Sequence, residues 1–146
     1  MGMIEMLSIL LAIILFSTIL ISMYHNISIA MDIVYNGSYQ LQGQKITNKY
    51  FQKIEAELLG QSDDFTFSNL YHTYNSHTDT ETVGNIQYNI SMQSSYCDSV
   101  GNTVSDSTLG FRIIDISIWC SPPTSSDTLW IGTSSNAIQK VFASYE

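Results

Sequence analysis

From Met6 to Met31 the chain carries no Asp, Glu, Lys or Arg, and Glu5 stands alone at the head of that run. No other feature limits the possible folds so tightly. At 1.5 Å of rise per residue, about 20 apolar residues cross the hydrocarbon core of a bilayer as a helix, so the run spans with some to spare. A carboxylate at its start is costly in hydrocarbon unless a partner neutralises it. Placed in the headgroup layer, near the positive end of the helix dipole, the same carboxylate costs little. Both placements of Glu5 stay open on the residues alone.

Beyond the run the apolar pattern narrows to a helical stripe. Ile27, Met31 and Val34 continue one face, and Ile46, Tyr50, Ile54 and Leu58 recur every fourth residue. Gly60 follows Leu59 where a C-terminal cap belongs, so the spacing predicts one helix to residue 59 or 60. Such a helix is roughly 85–90 Å long, its first half a free tail and its second half packed on a sheet. Gly37 and Gly43 each cost about 1 kcal/mol against Ala, either as tolerated dents or as points of close packing. The expected divisions are 1–30, an apolar anchor; 31–60, the amphipathic half of the same helix; and 61–146, a β-rich head. The fold class is α+β, a long helix on a small antiparallel sheet of three to four strands.

Lys45, Lys49 and Lys53 lie one turn apart beside the stripe and make up three of the chain's five bases. They read either as a solvated face, with Lys53 paired to Glu57, or as a contact with acidic loops of another subunit.

Residues 61–82 are polar and turn-rich, and are expected to form a surface loop. His72, His77, Asp79 and Glu81 fall there, but their spacing matches no strong metal-ligand motif. Asp63 and Asp64 suggest part of a calcium site without the spacing of a calcium-binding loop. No metal and no cofactor are expected. Asn85–Met92 alternates polar and apolar as a half-buried strand should, and the run Phe111–Trp119 alternates from Ile114 onward. Residues 98–108 connect them. Pro122 and Pro123 stop the second strand, 128–133 forms a short third, and 137–145 reads as a fourth strand or a short helix.

Cys97 and Cys120 are the only cysteines. In a plain hairpin of the two strands they would stand about 30 Å apart, against the roughly 6 Å between Cα atoms that a disulfide allows. Charged residues are only 12% of the chain, which suits an extracellular surface, and two free thiols are unusual there, so a disulfide is the expectation. It requires a loop that doubles back, closing about 22 residues and stabilising by roughly 3 kcal/mol.

An apolar run of about 25 residues with Glu at the fifth position resembles the N-terminus of mature type IV pilins and of type II secretion pseudopilins. The strand pattern Arg112-x-x-Asp115-x-Ser117-x-Trp119, followed by a short strand, resembles the sheet of such proteins more weakly. The resemblance implies that Met1 is the first mature residue, exposed by removal of a leader and N-methylated. It also implies that Met1 and Glu5 act in assembly, Glu5 pairing with the N-terminus of a neighbour. Many bacterial members carry Pro near position 22 and Gly near 14; Ser22 and Ile14 stand here, so the helix is expected to stay unbroken. The implied partners are copies of the chain in a helical homopolymer, the inner membrane before assembly, a prepilin peptidase and an assembly platform.

With 13 acids against 5 bases the net charge is −8, which repels phosphate backbones and disfavours nucleic acid as a partner. No nucleophile turn, zinc-protease helix or phosphate-binding glycine loop is present, so no enzyme activity is expected. The expected function is that of a structural subunit of an extracellular pilus-like filament. The alternatives are a periplasmic pseudopilin and a signal-anchored monomeric surface binding domain.

Overall fold

The computed structural model describes residues 2–60, 66–108, 110–123, 127–133 and 135–144. They fall into two compact units, residues 1–38 and 39–146. Helix α1, Met3–Leu59, supplies all the regular structure of the first unit and the opening segment of the second. Its 57 residues include no proline. In the apolar part Ser17 Oγ donates to Ile13 O and Thr18 Oγ1 to Leu15 O, each at 2.8 Å. These bonds satisfy the hydroxyls within the helix, as expected of Ser and Thr in an apolar helical run.

In the second unit α1 is followed by α2 (Phe67–Tyr74), β1 (His77–Val83), β2 (Ile86–Tyr96), β3 (Phe111–Cys120), β4 (Leu129–Ile131) and β5 (Ile138–Ala143). All strand pairs are antiparallel. The sheet runs β1-β2-β3, and the far edge of β3 is shared by β4 against 118–120 and β5 against 111–116. Five strands therefore replace the three to four expected, with β5 settling the choice between strand and helix near residue 140. Gly132, at φ +78, makes the step from β4 to β5; a Cβ there would come within 3.0 Å of Ile116 O.

Residues 66–83 overturn the expectation of a surface loop. Phe67, Leu70, Tyr71 and Tyr74 follow helical spacing, and Leu70 and Tyr74 are buried in α2. The Thr-rich strand β1 then pairs with β2 through a two-residue hairpin at Gly84-Asn85, with Gly84 at φ +63. Glycine reaches that conformation without steric cost.

The core lies between the Tyr39–Leu59 part of α1 and one face of the sheet. Ile46, Tyr50, Phe51 and Ile54 meet Tyr88, Ile90 and Met92 of β2 and the even-numbered residues Ile114–Ile118 of β3. The strict alternation of β2 and β3 puts these side chains on one face, and each fully buried one stabilises by about 1.5–3 kcal/mol. Arg112 is the exception, a buried cation held between the rings of Phe67 and Tyr96, 5.2 and 4.1 Å from their centroids. Desolvated stacking of this kind suits the planar guanidinium.

Candidate assembly surface

The first unit leaves its apolar surface uncovered. Ile4, Leu7, Leu10, Ile13, Phe16 and Ile21 are all exposed, and the most apolar window of the helix has no buried residue. Soluble monomers rarely leave apolar patches larger than a few hundred Å² open to water. By length and composition this helix is long and apolar enough to cross a membrane.

Glu5 sits in its first turn. Glu5 Oε2 accepts a hydrogen bond from the Gly2 N–H at 3.1 Å, and Ser8 Oγ donates to the Glu5 carbonyl at 2.8 Å. The carboxylate thus caps its own helix, but no cation among the described residues forms a salt bridge with it. Met1, the other residue expected to act in assembly, lies outside the described residues, as do Asp63 and Asp64.

The lysine stripe divides. Lys49 Nζ lies 2.8 Å from Glu81 Oε1 on β1, and Lys53 Nζ lies 3.9 Å from Glu57 Oε1 one turn away. Lys45 is exposed and has no carboxylate within salt-bridge distance among the described residues. Two of the three lysines are therefore engaged within the subunit, and Lys45 is in none of the salt bridges among the described residues. Lys140 on β5 adds a third tie, 2.7 Å from Glu55.

Tyrosine hydroxyls tie α1 to the sheet at Tyr50 and Tyr88, and to α2 at Tyr74. Tyr50 donates to Asp79 Oδ2 at 2.5 Å, Tyr74 to Glu57 Oε2 at 2.8 Å and Tyr88 to Gln42 Oε1 at 2.8 Å. Burial, reinforced by the Asp79 and Glu57 carboxylates, raises the Tyr50 and Tyr74 hydroxyls well above the ordinary tyrosine value. Burial above all pushes Tyr88 up to about 12. Asp79 moves the other way: the Tyr50 hydroxyl and the Thr80 N–H hold its carboxyl below the usual range.

The expected disulfide is absent. Cys97 and Cys120 are both free and buried. Tyr88 pairs with Cys120 and Tyr96 with Arg112, so β2 and β3 form the plain hairpin that sets the two thiols at opposite ends, about 30 Å apart. The connecting loop does double back, but onto its own root: Cys97 bridges Thr103, and Val104 N–H donates to Tyr96 O. Burial raises both thiols above their ordinary value.

His72 lies on α2 edge-on to Tyr71, and His77 opens β1 edge-on to Tyr74. Among the described residues no three His, Cys, Asp or Glu side chains gather to hold a metal ion. Of the two readings open for Gly37 and Gly43, close packing holds at Gly43, which packs directly under Ile131. One feature went unread in the sequence: Trp119 and Trp130 meet across β3 and β4 with ring centroids 5.0 Å apart. Alternation alone turns Trp119 outward, but only the β3–β4 register brings Trp130 beside it.

No family profile, curated protein or solved structure matches this chain. The architecture itself, a long N-terminal apolar helix whose later part packs on an antiparallel sheet, is compatible with a pilin-like fold.

Proposed function

We propose that the chain is a pilin, the structural subunit of an extracellular type IV pilus-like filament, without enzyme activity. The apolar helix holds it in the inner membrane first and then packs against copies of itself in the filament core. The observation that carries this reading is the exposed, charge-free helix surface from Met6 to Met31 with Glu5 at its head. Burial at about 25 cal/mol per Å² drives the association, and head-to-tail contacts that never close extend it into a fibre. Met1, methylated on its amine, and Glu5 set the register. A buried carboxylate loses several kcal/mol of hydration, and its bond to the Gly2 N–H supplies no counter-charge. The amine of an incoming subunit does, and a misplaced subunit leaves both charges unpaired. The same scheme requires a prepilin peptidase and an assembly platform, and no nucleic acid.

The test is Glu5→Val in the producing cell. The variant is expected in the membrane fraction at normal level with its head folded, while electron microscopy of sheared surface material finds filaments lost or strongly reduced. Filaments of normal number and length would overturn the reading.

A further inference from the structure

We propose that the outward face of the sheet is a carbohydrate-binding site, with Trp119 and Trp130 as its stacking wall and Gln93 and Asp115 as its hydroxyl partners. The proposal goes beyond the filament reading and stands without it, because one unassembled subunit carries the whole recess.

The alternation that buries the even-numbered residues of β2 and β3 turns the odd ones away from the core. Across the strands they form rows: Trp119 beside Trp130, Ser91 opposite Ser117, and Gln93 opposite Asp115, which also faces Gln139. The small serines in the middle row leave a recess of about 250 Å³. Trp119 and Asp115, at its two ends, lie four residues apart on one strand, about 13 Å. That volume falls just below the range of pockets for drug-sized ligands, so it fits a sugar ring rather than a larger molecule. A second dip of about 370 Å³, lined by Thr78, Thr80 and Asn89, shares Trp119 as its wall and continues the track toward β1.

The chemistry of the lining selects the ligand. A pyranose has one face of C–H groups, which stacks on an indole, and a rim of hydroxyls, which needs planar acceptors and donors. The recess offers both. Asp115 Oδ1 is buried and without a hydrogen-bond partner among the described residues, although Gln139 bonds the carboxylate. A buried acceptor without a donor carries a penalty that an incoming hydroxyl would remove. An organic cation is disfavoured: the two indoles lie side by side, tilted by 30° with centroids 5.0 Å apart, so they form one wall and not a cage. An anion is disfavoured by Asp115 and by the net charge of −8.

The two tryptophans of the chain both line this recess, so tryptophan emission reports on this face of the sheet alone. The full chain, in a detergent without a sugar headgroup, is titrated separately with glucose, galactose, mannose and N-acetylglucosamine, and with tetramethylammonium chloride. At least one sugar is expected to give a saturable shift to shorter wavelength, with Kd on the order of 1 mM. Ser117→Leu, which fills the recess from a position facing away from the core, should weaken that response tenfold or more. Asp115→Asn should weaken it severalfold. If Ser117→Leu fails to fold by circular dichroism, Ser91→Leu from the facing strand fills the same space. The proposal is overturned if no sugar gives saturation, if only tetramethylammonium does, or if the filled recess responds like the parent.

Discussion

A Cβ built on Gly43 would lie 2.8 Å from Cδ1 and 2.9 Å from Cγ1 of Ile131. Helix α1 thus approaches β4 at the one point in its buried stretch where it has no side chain. Ile131 is buried and β-branched, so it has little freedom to move aside. Gly37, by contrast, has nothing within 4 Å of the same position. The two glycines look alike in the sequence and should behave oppositely.

Gly37→Ala gains helix propensity with no steric cost and should stabilise by about 0.5–1 kcal/mol. Gly43→Ala gains the same propensity but overpacks the helix–sheet contact, at a cost of about 1–3 kcal/mol. Thermal melts of the full chain in detergent should therefore show Tm unchanged or raised for Gly37→Ala and lowered for Gly43→Ala. Adding Ile131→Val, which deletes Cδ1, should recover part of the loss.

The lysines separate in the same way. Lys49→Gln removes the tie to Glu81 and should lower the stability of a single subunit by about 0.2–1 kcal/mol, the range for exposed pairs. Lys45→Gln breaks no such tie and should leave the melt of the unassembled subunit unchanged. If Lys45 meets an acidic loop of a neighbour, the same substitution makes filaments easier to dissociate in salt. Equal melts and equal salt sensitivity for Lys45→Gln and the parent would remove Lys45 from any intersubunit contact.

The helix, its end near Gly60, strands β2, β3 and β4 and the pairing of Lys53 with Glu57 were legible in the spacing of residues, while 137–145 left strand and short helix open. The uncharged apolar run from Met6 to Met31, the stripe recurring every fourth residue from Ile46 to Leu58, and strands that alternate in and out are signals longer than local noise. Residues 66–83 were misread because α2 has only 8 residues and β1 is an edge strand whose first four residues are exposed. A short helix and a wet edge leave almost no apolar pattern, although Gly84-Asn85 was a hairpin signal in plain view. The cysteines failed for a different reason. The hairpin geometry argued against a disulfide and the habits of secreted chains argued for one; the register of β2 and β3 sides with geometry. The Trp119–Trp130 wall was invisible because it depends on pairing between strands separated by a loop, which no single run of residues encodes.

Free thiols make a direct prediction. Both are buried, so a thiol reagent should react with neither Cys97 nor Cys120 in the folded chain, and with both of the chain's two cysteines after unfolding. A reducing agent should leave Tm unchanged. A drop of several degrees on reduction would mean that a disulfide exists after all.

The Tyr50–Asp79 bond predicts how the head responds at both ends of the pH scale. Asp79 has its pKa lowered by folding, chiefly through the Tyr50 hydroxyl and the Thr80 N–H. Below the ordinary carboxylate value, near 3.9, the unfolded chain therefore binds more protons than the folded one. The stability that Asp79 contributes is complete above that value and is lost as pH falls through its lower folded pKa. Tyr50 has its pKa raised by burial first and by Asp79 second, and Tyr74 and Tyr88 are raised as well. Above pH 10, near the ordinary tyrosine value, the unfolded chain has released protons that the folded one keeps, so stability falls as pH climbs. Tyr50→Phe removes one raised hydroxyl and the main cause of the Asp79 shift together. At pH 7 it should cost about 1 kcal/mol, the net value of a hydrogen bond whose acceptor can turn to water. Urea melts across the pH range should show that difference shrinking below pH 4 and again above pH 10, because each extreme removes the charge state that makes the bond worthwhile. A constant difference at all three pH values would show that the ring's packing, not its hydroxyl, is what Tyr50 supplies.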